Sequence, residues 1–189
     1  MEYVISVAGD PSSAIGSVQS IMEDGDSLTS VAMGTEKLDS PLKECISGGA
    51  SRAFRIMDRD FMGSDSWVLS RIYTAFIDEY CPERGLIVFS GYSSTVPMLA
   101  HLLQVQQFCY VTEIGRDNEG IYAIQNYDGD TRKCRVPVGS VVSMAEDVRI
   151  PYSKKESDAE IEVVGRKELK LALPSVGIRG SRIITLGAC

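Results

Sequence analysis

The first hundred residues alternate short, mostly apolar runs with amphipathic stretches, and few architectures accept that rhythm. Residues 3–8, 28–33, 53–57 and 86–89 read as strands, and the last has no polar residue at all. A strand apolar on both faces belongs to a sheet covered on both sides, as parallel sheets are. Between these runs, residues 13–22 form a weak helix. A short helix follows, capped by Asp39 or Ser40 with Pro41 near its first position, where a missing N–H costs nothing. The clearest helix starts at Ser64 or Asp65. Val68, Ile72, Ala75 and Phe76 then fall at i, i+4, i+7 and i+8, and Cys81-Pro82 ends it. A last helix runs from Ser94 or Thr95 to Leu103. This succession predicts an α/β fold, a three-layer sandwich with a mostly parallel sheet and helices on both faces.

The second half changes character. Residues 108–114, 120–127 and 131–136 are strand-like, and Asp128-Gly129 between the last two is a strong hairpin signal. An antiparallel hairpin over 119–136 is therefore expected. Residues 140–144 and 160–164 read as further strands, and the charged segment 146–158 as a loop. Residues 145–189 are expected to be an irregular C-terminal extension, ending in the apolar run 182–186. The whole chain is read as one domain, since 189 residues suit a single core.

Charge and cysteine usage exclude several functions. The 26 acidic and 19 basic residues give a net charge of −7, unsuited to neutralising phosphates along a nucleic acid. The cysteines (Cys45, Cys81, Cys109, Cys134 and Cys189) are scattered without C-x-x-C spacing. They read as reduced thiols of a cytoplasmic protein rather than a zinc or dithiol site. No stretch approaches the roughly 20 apolar residues of a membrane span, and the first residues do not read as a signal peptide. Asp58, Asp60 and Asp65 lack a calcium-loop register, so no metal site is expected.

In open α/β sheets the ligand lies at the turns after parallel strands. Here these are Ser6 with Val7 after the first strand, Met33 after the second, and Ser90, Gly91, Tyr92, Ser93, Ser94 and Thr95 after the fourth. The last turn runs into a helix N-terminus, where free N–H groups and the helix dipole favour an anion. A simple capping role for Ser94 and Thr95 accounts for the same residues. Neither a G-x-G-x-x-G turn after a strand nor a Walker-type lysine is present. His101, the single histidine, lies among Met98, Leu99, Leu102 and Leu103 and reads as packed against the sheet or at its edge. Trp67 reads as core. No catalytic constellation emerges.

Several segments, in order, resemble the β subunits of electron-transfer flavoproteins. Val31-Ala32-Met33-Gly34 followed by Gly48-Gly49-Ala50-Ser51-Arg52-Ala53 is similar to that family's V-x-x-G turn and the segment after it. Gly63-Ser64-Asp65-Ser66 resembles its G-S-D-T helix start. The Asp128-Gly129 hairpin with Val136-Pro137-Val138-Gly139, and the tail Val176-Gly177-Ile178-Arg179-Gly180-Ser181, resemble later family segments. The resemblance implies an electron-carrier subunit rather than a self-contained catalyst. It implies a heterodimer with an FAD-bearing α-like subunit, serving flavin dehydrogenases through the complex. It further implies AMP or a second FAD on this chain, at Ser6, Val7, Met33 and the turn from Ser90 to Thr95. A docking patch is expected near the hairpin and residues 147–158. The chain departs from the family in lacking the long N-P-x-D loop after the first strand, and its turn after the fourth strand is shortened. A second reading therefore stays open: a non-redox structural or regulatory partner, or an adenine-nucleotide sensor on the same fold.

Overall fold

Tyr3, Val4 and Ile5 are each fully buried, yet they belong to two different cores. Side chains alternate across a strand, so this is what a sheet covered on both faces requires. The computed structural model describes residues 1–182, the side chain of Tyr127 excepted. Strands β1 (Glu2–Ser6), β2 (Ser27–Met33), β3 (Arg52–Ile56) and β4 (Arg84–Phe89) are joined by helices α1 (Ser12–Gln19), α2 (Asp39–Ser47) and α3 (Ser66–Tyr80). Helix α4 (Thr95–Leu103) leads to β5 (Gln107–Asp117), β6 (Gly120–Tyr127), β7 (Asp130–Arg135), β8 (Val141–Met144) and β9 (Ile161–Val164).

Among the described residues these strands form one sheet, in the order β7-β6-β5-β8-β4-β1-β2-β3-β9. Only the β5–β6 and β6–β7 pairings are antiparallel. Helices α1 and α2 pack one face through Ala14, Ile15, Val18, Leu42 and Cys45. Helices α3 and α4 pack the other through Val68, Ile72, Phe76, Val96 and Leu99. The three-layer, mostly parallel α/β sandwich with an antiparallel hairpin is the fold expected from the sequence. The hairpin turns at Asp128 and Gly129, with φ of 48° and 88°. Both central residues thus have the positive φ that a tight two-residue turn demands.

Local chemistry explains most element ends. Asp65 caps α3 by accepting from the Val68 N–H at 2.9 Å. Helix α2 differs from expectation. A 3₁₀ turn at Glu36–Leu38 leads directly into it, Leu38 occupies the cap position, and Pro41 is its third residue. The Asp39 carboxylate is unavailable for capping because it pairs with Arg55, which comes from β3 and is nearly buried. Strand β1 is shorter than expected and ends at Ser6, although the Val7 N–H still reaches the Val31 carbonyl at 2.9 Å. His101 is exposed on α4 rather than packed on the sheet, because Leu99 and Ala100 take the buried stripe. Trp67 is only half-buried, and the Arg182 guanidinium lies 4.6 Å from its ring centre.

Residues 145–160 carry no helix or strand, yet they are not a free loop. They run as a strap from β8 past α1 and α2 to β9 at the far edge of the sheet. The Ser153 N–H donates to Gln19 Oε1 at 2.8 Å, the Lys155 N–H to the Ser47 carbonyl at 2.8 Å, and Ser157 Oγ to the Ala50 carbonyl at 2.8 Å. Ile150 seats on α1 at Gly16, where an added Cβ would lie 2.5 Å from Ile150 Cγ2 and 2.7 Å from its carbonyl oxygen. The glycine is what allows the strap to approach. The irregular extension also contains a 3₁₀ turn at Leu173–Ser175 and a helical turn, α5, at Gly177–Gly180. The expected apolar end of the tail, beyond Arg182, lies outside the described residues.

Candidate functional site

The sheet order reverses at β1: β2 lies on one side of it and β4 on the other. Diverging connections leave a crevice at the carboxyl ends of such strands. A cavity of about 410 Å³ opens there, lined by residues that include Ser6, Met33, Tyr73, Ser90, Gly91, Tyr92, Ser93 and Thr95. Seven of the nine residues expected from the sequence are thus brought to one place. Val7 is not among them. Its side chain points to the opposite core and is buried there, because it stands one residue past Ser6 on an alternating strand. Ser94 also lies off the cavity, and its hydroxyl is 2.6 Å from that of Ser66 on α3.

The floor is polar but satisfied. Ser6 Oγ donates to the Tyr73 hydroxyl at 2.9 Å, and the Ser90 N–H donates to the Ser6 carbonyl at 3.0 Å. Burial pushes the Tyr73 hydroxyl above the usual tyrosine range, so it stays neutral. Tyr73 falls four residues after Leu69 on α3, and both line the cavity. Its position on the edge of the apolar stripe gave no sign of a role beyond the core.

The start of α4 departs from the expected anion cradle. The Thr95 N–H is taken by Ser93 Oγ at 3.2 Å, the Val96 N–H by the Ser93 carbonyl at 2.9 Å, and Pro97 has none to offer. The donors that usually greet a phosphate at a helix start are therefore largely spent internally. Open backbone lies instead at Gly9 and Gly91, where an added Cβ would meet nothing within 4 Å.

A cation reaches the rim from the strap, which the sequence had marked only as a charged loop. Arg149 lines the cavity, and its Nε lies 2.7 Å from Asp10 Oδ2. Its Nη1 donates to the carbonyls of Glu146 and Val148 at 2.9 and 3.0 Å, which fixes the stem of the guanidinium. The Ser12 N–H, donating to Asp10 Oδ1 at 2.9 Å, is the main reason the Asp10 carboxyl sits below its usual range, with Arg149 adding to it. The signal available in the sequence was position alone: Arg149 follows closely on the carboxyl end of β8, a parallel strand. Tyr92 completes the rim and stacks on Tyr110 from β5, ring centres 4.9 Å apart and planes 17° apart.

The cavity has the size and composition of a small-molecule site: concave, partly apolar, with a few convergent polar groups. Its residues fit a nucleotide better by this rim than by the helix start, with Arg149 and open backbone for phosphate and an aromatic wall for a base. Among the described residues no group of three or more His, Cys, Asp or Glu side chains could hold a metal. Cys45 and Cys81 are buried thiols with pKa pushed up to about 12 by burial, unsuited to redox chemistry at neutral pH. No helix among the described residues is long and apolar enough to cross a membrane.

Beside the hairpin, Met1 and Val138 are exposed around a groove that Ile121 and Val136 also line, and a second group of exposed apolar side chains gathers away from it. Met57, Met62, Leu173 and Ile178 are exposed around two shallow grooves that share Met62, on the β3–β9 side of the molecule. One groove also shares Met33 and Leu69 with the cavity. The hairpin's outer strand, β7, instead presents Asp130, Arg132, Lys133 and Arg135, charges that discourage edge pairing.

Comparison with known proteins agrees with this architecture. The electron transfer flavoprotein domain is matched over residues 13–169. The electron transfer flavoprotein subunit beta of Thermoanaerobacterium thermosaccharolyticum is 20% identical over 175 residues, covering 83% of this chain and 65% of that protein. The same subunit of Methylophilus methylotrophus is 26% identical, covering 78% and 61% respectively. Protein FixA of Azotobacter vinelandii is 30% identical over 99 residues, 48% of this chain and 35% of its own length. The chain therefore spans less than two thirds of the length of the relatives it matches. With a family match across most of its length, and the strand order and crevice described above, the chain belongs to the electron transfer flavoprotein family, as a member similar to β subunits.

Proposed function

We propose that this chain is the β-type subunit of an electron-transfer flavoprotein. It pairs with an FAD-bearing α-like subunit, whose flavin passes electrons between dehydrogenases and a downstream acceptor. This chain contributes a docking surface and a nucleotide site, and no catalytic group of its own. The family match over residues 13–169 carries the reading. The exposed apolar patch of Met57, Met62, Leu173 and Ile178 supports a partner, because apolar surface of this kind favours burial in a complex. The crevice at the β1 switch point supports AMP or a second FAD, with Arg149 facing phosphate in place of a lysine.

Co-expression with an α-type subunit from the same genome tests this. A stable, yellow one-to-one complex is expected, with AMP or FAD released into the supernatant when it is denatured. Persistent separate monomers at low salt would overturn it.

A second reading is favoured by one observation. Asp10 and Glu146 bring two carboxylates to the cavity lining, and Asp10 already holds Arg149. Those charges oppose a phosphate and fit a structural or regulatory partner that has lost its nucleotide. A stable but colourless complex that releases neither AMP nor FAD would select that reading.

A further inference from the structure

Tyr110 occupies a conformation that bulky residues avoid. Its φ is +57°, in the left-handed region, where the side chain crowds its own backbone. The surrounding register explains how it is held. Strand β5 pairs with β8 through Phe108↔Val142 and then Val111↔Met144, so the pairing shifts at this point and the chain bulges. On the other side, β5 shifts register against β6 between Val111 and Glu113. Gln125 Nε2 donates to the Cys109 carbonyl at 2.8 Å, and the Ala145 N–H to the Val111 carbonyl at 2.8 Å, pinning the backbone on both sides of Tyr110. Bulges re-aim side chains, and strained residues persist where the surrounding structure over-determines them, often at functional sites.

What this bulge aims is an aromatic ring at the mouth of the cavity. The Tyr110 ring lies almost flat on that of Tyr92, which itself lines the cavity. Both residues keep 41% of their surface exposed, so the stack is not core packing. Tyr92 belongs to a turn with open space beside it at Gly91, and the ring it stacks on is that of Tyr110.

We infer that Tyr110 is a positioning residue for nucleotide recognition, backing the Tyr92 ring so that its other face receives the planar heterocycle of the ligand. The inference rests on the nucleotide-binding reading above and adds to it the element that distinguishes a base from a bare sugar phosphate. Phosphate and ribose contacts at Arg149 and the open backbone are indifferent to a base. A pre-fixed aromatic platform is not, since it gains stacking without the cost of ordering its own side chain.

Calorimetric titration of the chain, alone and with its α-like partner, with AMP and with ribose 5-phosphate separates the two contributions. Tyr110→Ala is expected to weaken AMP about tenfold, within the range of one base–aromatic stack, and to leave ribose 5-phosphate unchanged. Tyr110→Phe, which keeps the ring, should stay within about twofold of the parent for both ligands. Thermal unfolding of each variant checks that the bulge has not collapsed. If the parent binds AMP but Tyr110→Ala binds it equally well, or loses both ligands in parallel, the positioning role falls while nucleotide binding stands. If the parent binds neither AMP nor FAD in any state, the nucleotide reading falls and takes this inference with it.

Discussion

The hydroxyls of Ser6 and Tyr73, 67 residues apart, meet at 2.9 Å beneath the cavity and tie the carboxyl end of β1 to α3. Neither has much access to water, with 3% and 8% of their surfaces exposed. A buried hydroxyl that loses its partner bears its desolvation cost alone. Tyr73→Phe is therefore expected to destabilise the fold by about 1–2 kcal/mol. Urea denaturation followed by circular dichroism measures this, and a change within a few tenths would show that the pair is not structural.

Arg149 and Asp10 form an ion pair at the surface, with side chains 60% and 42% exposed. Such pairs contribute little to stability, so Arg149→Ala should unfold within about 0.5 kcal/mol of the parent. Its effect should fall on ligands instead. AMP affinity is expected to drop about five- to tenfold, with a shallower dependence on salt, because a charge-assisted contact to phosphate has gone. Isothermal titration at two ionic strengths checks both statements.

Gly16→Ala sets two effects against each other. Alanine favours a helix over glycine by about 1 kcal/mol. The new methyl, however, would collide with the side chain and backbone of Ile150. Overpacking costs typically about 1–3 kcal/mol, so a net loss is expected. It should come with faster amide exchange in residues 148–155 as the strap lifts. Equal or greater stability would mean that the strap yields freely.

Cys45 and Cys81 make stability depend on alkaline pH. Burial raises both thiols from 9.0 to about 12 in the folded chain. Below about pH 9 both states keep the proton, and the contribution is complete. Above that, the unfolded chain sheds protons that the folded chain retains, so stability falls as pH climbs towards 12. The loss approaches about 1.4 kcal/mol per pH unit for each thiol. Urea midpoints at pH 8 and pH 10.5 should differ less in Cys45→Ala than in the parent. An unchanged difference would exclude this thiol as a source.

Met62 and Ile178 are each 73% exposed. Changing both to glutamate should leave unfolding within about 0.5 kcal/mol, as surface substitutions usually do. Binding of the α-like subunit should weaken more than tenfold, read by analytical ultracentrifugation. A glutamate on the hairpin edge at Lys133 serves as comparison. Loss of the complex from that variant alone would move the docking surface to the hairpin.

Local periodicity and turn chemistry determined much of this protein from sequence alone. Apolar runs such as Tyr3-Val4-Ile5 announced a sheet covered on both faces, the Val68-Ile72-Ala75-Phe76 stripe announced α3, and Asp128-Gly129 announced the hairpin turn. These are short-range constraints, satisfied by neighbours within a few residues. The turn after β4 was legible as lining a crevice for the same reason, since the carboxyl end of a parallel strand follows from the strand itself. What the sequence could not disclose depends on contacts between distant segments. Arg149 reaches the rim because the strap runs from β8 past α1 and α2, and Gly16 permits it. Tyr110 backs Tyr92 because two register shifts bulge β5. The apolar patch forms because residues 57–62 and 173–178 converge. The start of α4 is a poor anion cradle because Ser93 turns its own oxygens inward and Pro97 brings no donor. Each outcome is a packing decision, fixed only when the layers close on one another.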